Sequence, residues 1–334
     1  MPNMDATAPL DDRSLLRCLG PQPVSGAELA ARAGQTRAAI GKRIQALRKA
    51  GLAIGADRGR GYWLEAPLDL LDADAIRAGM APAARTRLHA LDVAWRIDST
   101  NTALLGRRAA DSGVDVLFAE QQTAGRGRRG RTWVSPLAAH LYLSVLRRFE
   151  GGLARLGGLS LVAGIAIAEA LRDRCGLAVG LKWPNDLLVD GRKLGGILVE
   201  GGGEHGGPVQ AVIGIGINVR MPTTMTKDIG QPWVDLASVM SADMLQRSRI
   251  AAAVLDGLIG ALDAFDAHGL SPFLERYRML DVLAGSMIDV HAANGVETML
   301  ALGLAGDGGL RVRRADGSET VVHSGEVSVR RTMV

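Results

Sequence analysis

"DVLFAEQQTAGRGRRGRTWVSPLAAHLYLSVLRR", residues 115–148, joins two predicted strands through a loop of unusual composition. The apolar ends, residues 115–120 and 140–148, are typical of strands. Between them, Gly125 to Arg131 consists of four arginines and three glycines. A disordered arginine-rich arm would have low-complexity flanks. Because a strand holds this loop at each end, the sequence predicts a fixed loop of a central α/β domain rather than a free arm.

Three functions are open for this loop: contact with nucleic acid, a cradle for a phosphate or carboxylate, or a loop without a ligand. Glycines let the backbone approach a ligand and expose its N–H groups. Guanidinium groups make bidentate hydrogen bonds to carboxylates and phosphates. A loop fixed at both ends is therefore better suited to a small anion than to a duplex.

The chain of 334 residues is long enough for more than one domain. Around the loop, the sequence predicts a mostly apolar helix over 156–176, strands within 179–202 and a buried strand over 210–219. Asp190 and Gly191 indicate a hairpin turn. We assign these elements to a central domain of residues 83–284, preceded by a linker.

Short alternating strands with turn residues return near the C-terminus, within 287–329. This pattern is typical of a small β-barrel or sandwich. It predicts a third domain, which we place at residues 285–332.

A winged helix-turn-helix is predicted for residues 12–66. Ser25 followed by Glu28 is a capping-box signature, and Thr36 is a good N-cap for a second, basic helix. Gly34 separates the two helices, and a β-hairpin follows them. Helix pairs with glycine turns also occur in proteins that do not bind DNA, so the charge pattern has to support the assignment.

The net charge of +4 is concentrated at the N-terminal end of the chain. Residues 13–60 carry ten Lys and Arg residues against two acidic ones, a surplus of eight positive charges. A basic first domain on a mildly acidic remainder favours nucleic-acid binding by that domain alone. The DNA-binding candidates are Arg37, Lys42, Arg43, Arg58 and Arg60.

Composition also excludes several classes of protein. No apolar run reaches the roughly 18 residues of a membrane span, and the acidic N-terminus lacks the apolar segment of a secretory signal. Two cysteines, Cys18 and Cys175, are too few for a disulfide framework or a zinc site, and we expect both to be small buried apolar residues. We therefore expect a cytoplasmic protein with no membrane partner.

Four stretches, in this order, resemble the biotin–protein ligases: "GRGRRGRTW" (125–133), "KWPND" (182–186), "GRKLGGILVE" (191–200) and "GIGINV" (214–219). With the winged helix, the chain is similar to their bifunctional form, which is also the biotin operon repressor. The resemblance covers about residues 13–331. It implies an α/β (α+β) fold: a winged helix-turn-helix, a central class II synthetase-like ligase domain with a mixed sheet, and a C-terminal SH3-like β-barrel.

The resemblance also implies a reaction and its partners. Biotin and ATP, assisted by Mg²⁺, give biotinyl-5′-AMP, and the biotinyl group passes to a lysine of a biotin carboxyl carrier protein. Positioning and charge neutralisation carry this chemistry without a covalent nucleophile. Biotin is then both substrate and precursor of the corepressor. The adenylate-bound protein is expected to be a homodimer on biotin operator DNA.

Carried over residue by residue, the resemblance assigns roles to the following side chains. The catalytic group is Arg128, Lys182, Asp186 and Lys193, with Asp186 also a candidate Mg²⁺ ligand. The biotin-binding group is Ser99, Thr100, Asn101, Gln122, Arg126, Gly127, Arg128 and Lys193. The ATP- and adenylate-binding group is Arg126, Arg128, Arg131, Trp133, Lys182, Asn185, Asn218 and Trp233.

Plainer roles stay open for some of these residues. Trp133 is a candidate for a purely structural role, Asp186 for a turn residue, and Ser99 for a helix N-cap. "GEVSVR" (325–330) matches a terminal stretch of the family, so we expect Glu326 and Arg330 to reach the site. Gly41 departs from the larger polar residue usual in the second helix, which affects the operator sequence rather than DNA binding.

Two other functions compete with this interpretation. One is a ligand-sensing repressor without catalysis, and the other is a ligase for another cofactor acid such as lipoate. Lys193 and the intact "KWPND" favour catalysis, because a sensor has no need of phosphate chemistry.

Overall fold

The computed structural model describes residues 10–150, 152–203, 208–292, 295–324 and 328–331. Along these residues, three β-sheets of two, seven and five strands succeed one another. Each sheet belongs to its own unit: a winged helix, a central unit and a C-terminal unit. The three-part architecture expected from the sequence is confirmed.

The winged helix is formed by three helices and a hairpin. Its elements are α1 Asp12–Arg17, α2 Gly26–Ala33, α3 Arg37–Lys49, β1 Ile54–Asp57 and β2 Gly61–Leu64. The Oγ of Ser25 accepts the N–H of Glu28 at 3.1 Å, and the Oγ1 of Thr36 accepts that of Ala39 at 3.2 Å. These bonds satisfy N–H groups that have no partner in a first helical turn, so the predicted N-caps are confirmed.

The segment predicted as a linker before the central domain is part of that domain. It contains α4 Ala73–Gly79 and α5 Pro82–Arg85. Leu71, Ile76 and Met80 are buried in the same core cluster as the central sheet. The central domain therefore begins about a dozen residues before the predicted boundary at residue 83. The local sequence does not show this, because the burial of these apolar residues depends on a helix far along the chain.

The central unit is built on the seven-stranded sheet. Its strands are β3 Leu88–Ala94, β4 Val114–Ala119, β5 Leu141–Phe149, β6 Gly180–Lys182, β7 Asp186–Val189, β8 Arg192–Gly203 and β9 Val209–Ile217. Its remaining helices are α6 Thr100–Leu105, α7 Leu159–Cys175, α8 Arg247–His268 and α9 Ser271–Arg278. The strand order is β3-β4-β5-β9-β8-β7-β6. Only the β3–β4 pair is parallel among these pairings, so the predicted mixed sheet is confirmed.

Successive residues of a strand point to opposite faces of a sheet, and both faces are covered here. Val116 and Phe118 belong to the large core cluster that contains α7 and α8. Leu117 instead packs in a smaller cluster with Leu104 of α6. Because both faces are buried, the strands contain apolar runs rather than a strict alternation.

The hairpin between β7 and β8 follows directly from its two turn residues. Asp190 has φ 50° and Gly191 has φ 73°. A two-residue turn with both central residues at positive φ matches the twist of the flanking strands and favours Asp-Gly. The predicted hairpin is confirmed, and it places "KWPND" and Lys193 on neighbouring strands.

The C-terminal unit is a five-stranded antiparallel sheet. Its strands are β10 Met287–Ala292, β11 Gly295–Leu304, β12 Leu310–Arg313, β13 Glu319–Val322 and β14 Ser328–Arg331. The Nε1 of Trp183, in "KWPND", donates to the carbonyl of Gly308 at 3.0 Å. This bond fixes the C-terminal unit against the central one at this pentapeptide.

The segment after the Gly/Arg loop joins the winged helix to the central unit. The side chain of Leu137 is 1% exposed and belongs to the winged-helix core cluster. Its N–H donates to the carbonyl of Ala50, at the end of α3, at 2.7 Å. Helix α3 thus ends against Leu137, four residues after Trp133.

Candidate active site

One cleft of about 1060 Å³ opens on the central unit. Every residue to which the sequence assigned biotin, ATP or catalysis lines it: Ser99, Thr100, Asn101, Gln122, Arg126, Gly127, Arg128, Arg131, Trp133, Lys182, Asn185, Asp186, Lys193, Asn218 and Trp233. Cofactor pockets commonly have volumes of about 300–1,000 Å³. The predicted residues therefore form one site of a size suited to a nucleotide and a second small molecule.

Uncharged polar groups form one end of the cleft, at the start of α6. The Oγ of Ser99 caps this helix by accepting the N–H of Thr102 at 3.4 Å. The Oε1 of Gln122 accepts the N–H of Thr100 at 2.9 Å. Thr100 and Asn101 are buried. Buried amide and hydroxyl groups suit a neutral ligand head with its own donors and acceptors. Ser99 is thus an N-cap and also a lining residue.

Two residues that the sequence analysis missed complete this end. The Oγ of Ser144, on β5, lies 2.5 Å from the Oδ1 of Asn101 and 2.7 Å from the Oγ1 of Thr100. The Oε2 of Glu200, on β8, lies 2.8 Å from the Nδ2 of Asn101. Glu200 is the last residue of the motif "GRKLGGILVE", so the sequence could have identified it as a site residue. Ser144 lies in an apolar strand, and no sequence feature marks it.

The Gly/Arg loop lines the cleft, and two of its arginines have partners elsewhere in the fold. The Nη2 of Arg126 lies 2.9 Å from the Oε2 of Glu200. Arg128 donates to the Oδ1 of Asn185 at 3.3 Å and to the carbonyl of Ser324 in the C-terminal unit. Burial lowers the pKa of the Arg128 guanidinium, and the neighbouring Arg129 adds to this effect. A bound anion would relieve that cost, which supports the anion-cradle interpretation of the loop.

The cationic end of the cleft is centred on Lys193. Its Nζ lies 2.7 Å from the Oδ1 of Asp186 and 5.6 Å from the centre of the Trp133 ring. A Cβ added to Gly216 would come within 2.5 Å of the Trp133 indole. Trp133 therefore packs against a bare stretch of strand and also lines the cleft, so the structural and ligand-binding roles coexist.

Asn218 and Trp233 hold the backbone around Lys193. The Nδ2 of Asn218 donates to the carbonyls of Lys193 and Val234, at 3.3 and 3.1 Å. Lys193 and Trp233 are paired as a parallel β-bridge. Both residues thus combine a structural role with a position on the cleft wall.

Asp186 is the predicted Mg²⁺ ligand. The described residues contain no group of three or more His, Cys, Asp or Glu side chains placed to hold a metal. Mg²⁺ in nucleotide sites is commonly held by one or two carboxylates together with phosphate oxygens and waters. Asp186 can supply one such carboxylate, with the phosphate oxygens and waters as the other ligands.

The DNA-binding candidates fall into two groups. Arg37, Lys42, Arg58 and Arg60 are exposed, on α3 and at the tip of the wing. The Nε of Arg43 instead lies 2.9 Å from the Oδ1 of Asp12 in α1, and its side chain is 19% exposed. The prediction that Arg43 contacts DNA is therefore revised: its guanidinium ties α3 to α1, a contact that only the tertiary packing creates.

Several other expectations can be placed. Cys18 and Cys175 are free thiols, but they are half-buried rather than fully buried as expected. Glu326 lies outside the described residues, and Arg330 lies in β14. In the part of the chain that the structure describes, no helix has the length and apolar character needed to cross a membrane.

Comparison with known proteins gives two family matches. The biotin/lipoate A/B protein ligase family matches residues 93–218, and a helix-turn-helix domain matches residues 13–63. The bifunctional ligase/repressor BirA of Salmonella typhimurium is 42% identical over 312 residues, which cover 91% of this chain and 94% of that protein. The protein of the same name from Escherichia coli K12 is 43% identical over 257 residues, covering 77% and 78%.

Among solved structures, a biotin protein ligase from Aquifex aeolicus in complex with biotin and ATP is similar to this chain, with a TM-score of 0.63 at 28% identity. The match covers 73% of this chain and 100% of that one. The similarity to these proteins in sequence, in fold and in the order of the domains thus agrees with the set of residues that line the cleft. The chain therefore belongs to the biotin/lipoate A/B protein ligase family, and within it to the bifunctional ligase/repressors that carry an N-terminal helix-turn-helix domain.

Proposed function

We propose that this protein is an ATP-dependent biotin–protein ligase and a biotin-responsive DNA-binding repressor. In the first step, a biotin carboxylate oxygen attacks the α-phosphorus of ATP, and pyrophosphate leaves. In the second, a carrier lysine amine attacks the acyl carbon of biotinyl-5′-AMP. An amide forms, the amine loses a proton, and AMP leaves. The carrier is a biotin carboxyl carrier protein, and the reaction takes place in the cytoplasm, where ATP and DNA are available.

The observation that carries the ligase proposal is the division of the cleft into a neutral and a cationic end. Ser99, Thr100, Asn101 and Gln122 suit the ureido ring of biotin, which is neutral and has both donors and acceptors. Arg126, Arg128, Lys182 and Lys193 suit the carboxylate and the phosphates, whose mutual repulsion must be offset before they can react. Asn185, Asn218, Arg131 and the faces of Trp133 and Trp233 are then left for the adenylate.

Mg²⁺ bound with ATP would be held by Asp186 and the nucleotide phosphates, and it would neutralise negative charge that develops on the leaving pyrophosphate. In the present arrangement Lys193 offsets the charge of Asp186, so ligand binding would redistribute these contacts. The chain's own cations would orient the carboxylate and the α-phosphate toward each other.

Release of pyrophosphate separates the ligase from its two rivals. We expect release with ATP and biotin, and background release with ATP alone or with ATP and lipoate. A lipoate signal equal to the biotin signal would identify a ligase for another acid. No release with either acid, combined with tight biotin binding, would identify a ligand-sensing repressor.

The repressor part of the proposal rests on the exposed basic residues of α3 and the wing. They stand on a helix-turn-helix whose second helix is the more basic, which is the arrangement that enters a major groove. We propose that biotinyl-5′-AMP promotes homodimerisation, so that two winged helices meet one inverted-repeat operator. Linking two modules raises the effective concentration of the second at its half-site.

A further inference from the structure

Glu200 contacts two lining residues that belong to different parts of the cleft. Its Oε2 lies 2.8 Å from the Nδ2 of Asn101, at the neutral end, and 2.9 Å from the Nη2 of Arg126, in the Gly/Arg loop. Arg126 and Glu200 are 74 residues apart in the chain. One carboxylate oxygen therefore joins the group expected to recognise the biotin ring with the loop expected to close over it.

The carboxylate of Glu200 and the carbonyl of Leu198 together fix the orientation of the Asn101 amide. An ionised carboxylate only accepts hydrogen bonds, so the NH₂ group of Asn101 has to face it. The Oδ1 of Asn101 then faces the Oγ of Ser144 at 2.5 Å. Since Oδ1 only accepts, Ser144 donates its single proton there.

This orientation continues to the hydroxyl of Thr100. With its proton engaged by Asn101, the Oγ of Ser144 can only accept from the Thr100 hydroxyl, at 2.7 Å, rather than the longer contact of that hydroxyl with the Oε1 of Gln122, at 3.2 Å. The Gln122 amide is held separately, because its Oε1 accepts the backbone N–H of Thr100. Glu200 therefore acts on the direction of the hydrogen bonds of Asn101, Ser144 and the Thr100 hydroxyl.

Packing prevents Asn101 from adapting in another way. A Cβ added to Gly214, on β9, would come within 2.2 Å of the Asn101 Oδ1. Asn101 is buried between this bare backbone and Glu200. It therefore has one position, and its NH₂ group faces two acceptors, the Glu200 carboxylate at 2.8 Å and the carbonyl of Leu198 at 3.3 Å.

We propose that Glu200 is a positioning residue that sets the hydrogen-bonding pattern of the biotin end of the cleft and ties it to the Gly/Arg loop through Arg126. The proposal rests on the biotin ligase function proposed above. Neutralising Glu200 removes the charged one of the two acceptors that hold the Asn101 amide and releases Arg126, so ring recognition and loop closure weaken together, while the pair of Lys193 and Asp186 keeps its contact.

The test compares Glu200→Gln with Glu169→Gln in the full-length protein. The two glutamates are well matched, because both side chains are 24% exposed and both pair with an arginine, but Glu169 pairs with Arg276 away from the cleft. The readouts are the Kd for biotin without ATP, the KM for ATP, and the rate of trypsin cleavage within residues 126–131. Glu200→Asp, which keeps the charge, tests for rescue.

We expect Glu200→Gln to raise the Kd for biotin by about tenfold or more, in line with loss of a charge-assisted hydrogen bond. Trypsin should cleave the loop faster, and the KM for ATP should rise less than the Kd for biotin, because Arg126 is one of several cations expected to contact the nucleotide. Glu169→Gln should match the wild type, and Glu200→Asp should recover part of the affinity.

Other outcomes overturn the proposal. A Glu200→Gln protein with wild-type biotin affinity and loop cleavage would do so, as would an equal loss of ATP and biotin binding. If Glu200→Gln does not fold, Arg126→Gln decides: the same loop cleavage rate as the wild type would exclude the tie between Glu200 and the loop. A wild-type protein that binds no biotin would instead refute the proposed function itself.

Discussion

At the scale of single residues, Lys193 is the cation that the chemistry requires most. Its side chain is 14% exposed, and its Nζ lies 2.7 Å from Asp186. Replacing it with methionine should slow adenylate formation, because about 2–3 kcal/mol of transition-state stabilisation is lost. This is the usual cost of removing one preorganised donor. Single-turnover formation of biotinyl-5′-AMP measures this.

The matched control for Lys193 is its neighbour Arg192. Its side chain is 44% exposed and faces Asp190 in the hairpin turn, at 3.9 Å. Arg192→Ala should leave the single-turnover rate unchanged. A wild-type rate in Lys193→Met would remove this lysine from the mechanism.

His140 makes a second prediction at this scale, on stability. It is fully buried, and burial lowers its pKa from 6.5 to about 3, with the charge of Arg247 acting in the same direction. Its Nδ1 lies 2.9 Å from the carbonyl of Ala139 and 3.0 Å from the backbone nitrogen of Val219. Burial beside Arg247 is the dominant effect and keeps the ring neutral. The unfolded chain takes up a proton below pH 6.5 and the folded protein does not. The contribution of His140 to the free energy of unfolding should therefore be fully present above pH 6.5 and be lost as the pH falls from 6.5 to 3.

Urea unfolding at pH 7.5 and 5.5 tests the contribution of His140. At pH 5.5 this residue alone should lower the free energy of unfolding by about 1.4 kcal/mol, one pH unit below the ordinary pKa. His140→Gln should show a correspondingly smaller loss. Identical pH profiles for His140→Gln and the wild type would refute the assignment.

At the scale of elements, Gly216 of β9 lets the indole of Trp133 approach the strand closely. A Cβ at Gly216 would come within 2.5 Å of the indole, whereas a Cβ at Gly202, on the neighbouring strand β8, would meet nothing within 4 Å. Overpacking costs about 1–3 kcal/mol, so Gly216→Ala should raise the KM for ATP roughly tenfold by displacing Trp133. Steady-state kinetics of both alanine variants provide the test, and equal KM values for ATP would contradict the packing argument.

At the scale of the whole molecule, ligand binding in the central unit must favour one state of the protein if it is to control DNA binding. We expect sedimentation to show a monomer without ligands or with ATP alone, and a dimer with biotin plus ATP. Operator affinity should rise under the same conditions. A protein that remains monomeric when saturated with adenylate, yet binds DNA equally well, would contradict this coupling.

The winged helix itself offers a matched pair for the DNA titration. Arg37 is exposed on α3, whereas Arg43 is paired with Asp12. Arg37→Ala should weaken binding and lower the salt slope by about one unit if it neutralises one phosphate. Arg43→Ala should leave the salt slope unchanged while lowering the stability of the winged helix. A lower slope for Arg43→Ala would restore it as a phosphate contact.

The sequence by itself determined the features that depend on a few neighbouring residues. Ser25, Thr36 and Gly34 mark the helix ends, and Asp190-Gly191 marks the hairpin, because caps and tight turns are set by local backbone preferences. The contiguous motifs also placed the ligand-site candidates, since each motif lies on a strand end or loop that keeps its residues together.

Only the tertiary structure decided which groups meet across the fold. Arg126 reaches Glu200, Ser144 reaches Asn101, Arg43 turns to Asp12, and Leu137 enters the core of the winged helix. These partners are 74 and 43 residues apart in the first two cases and 31 in the third. Strand order and register set such contacts, and both depend on the burial of the whole apolar surface rather than on any local pattern.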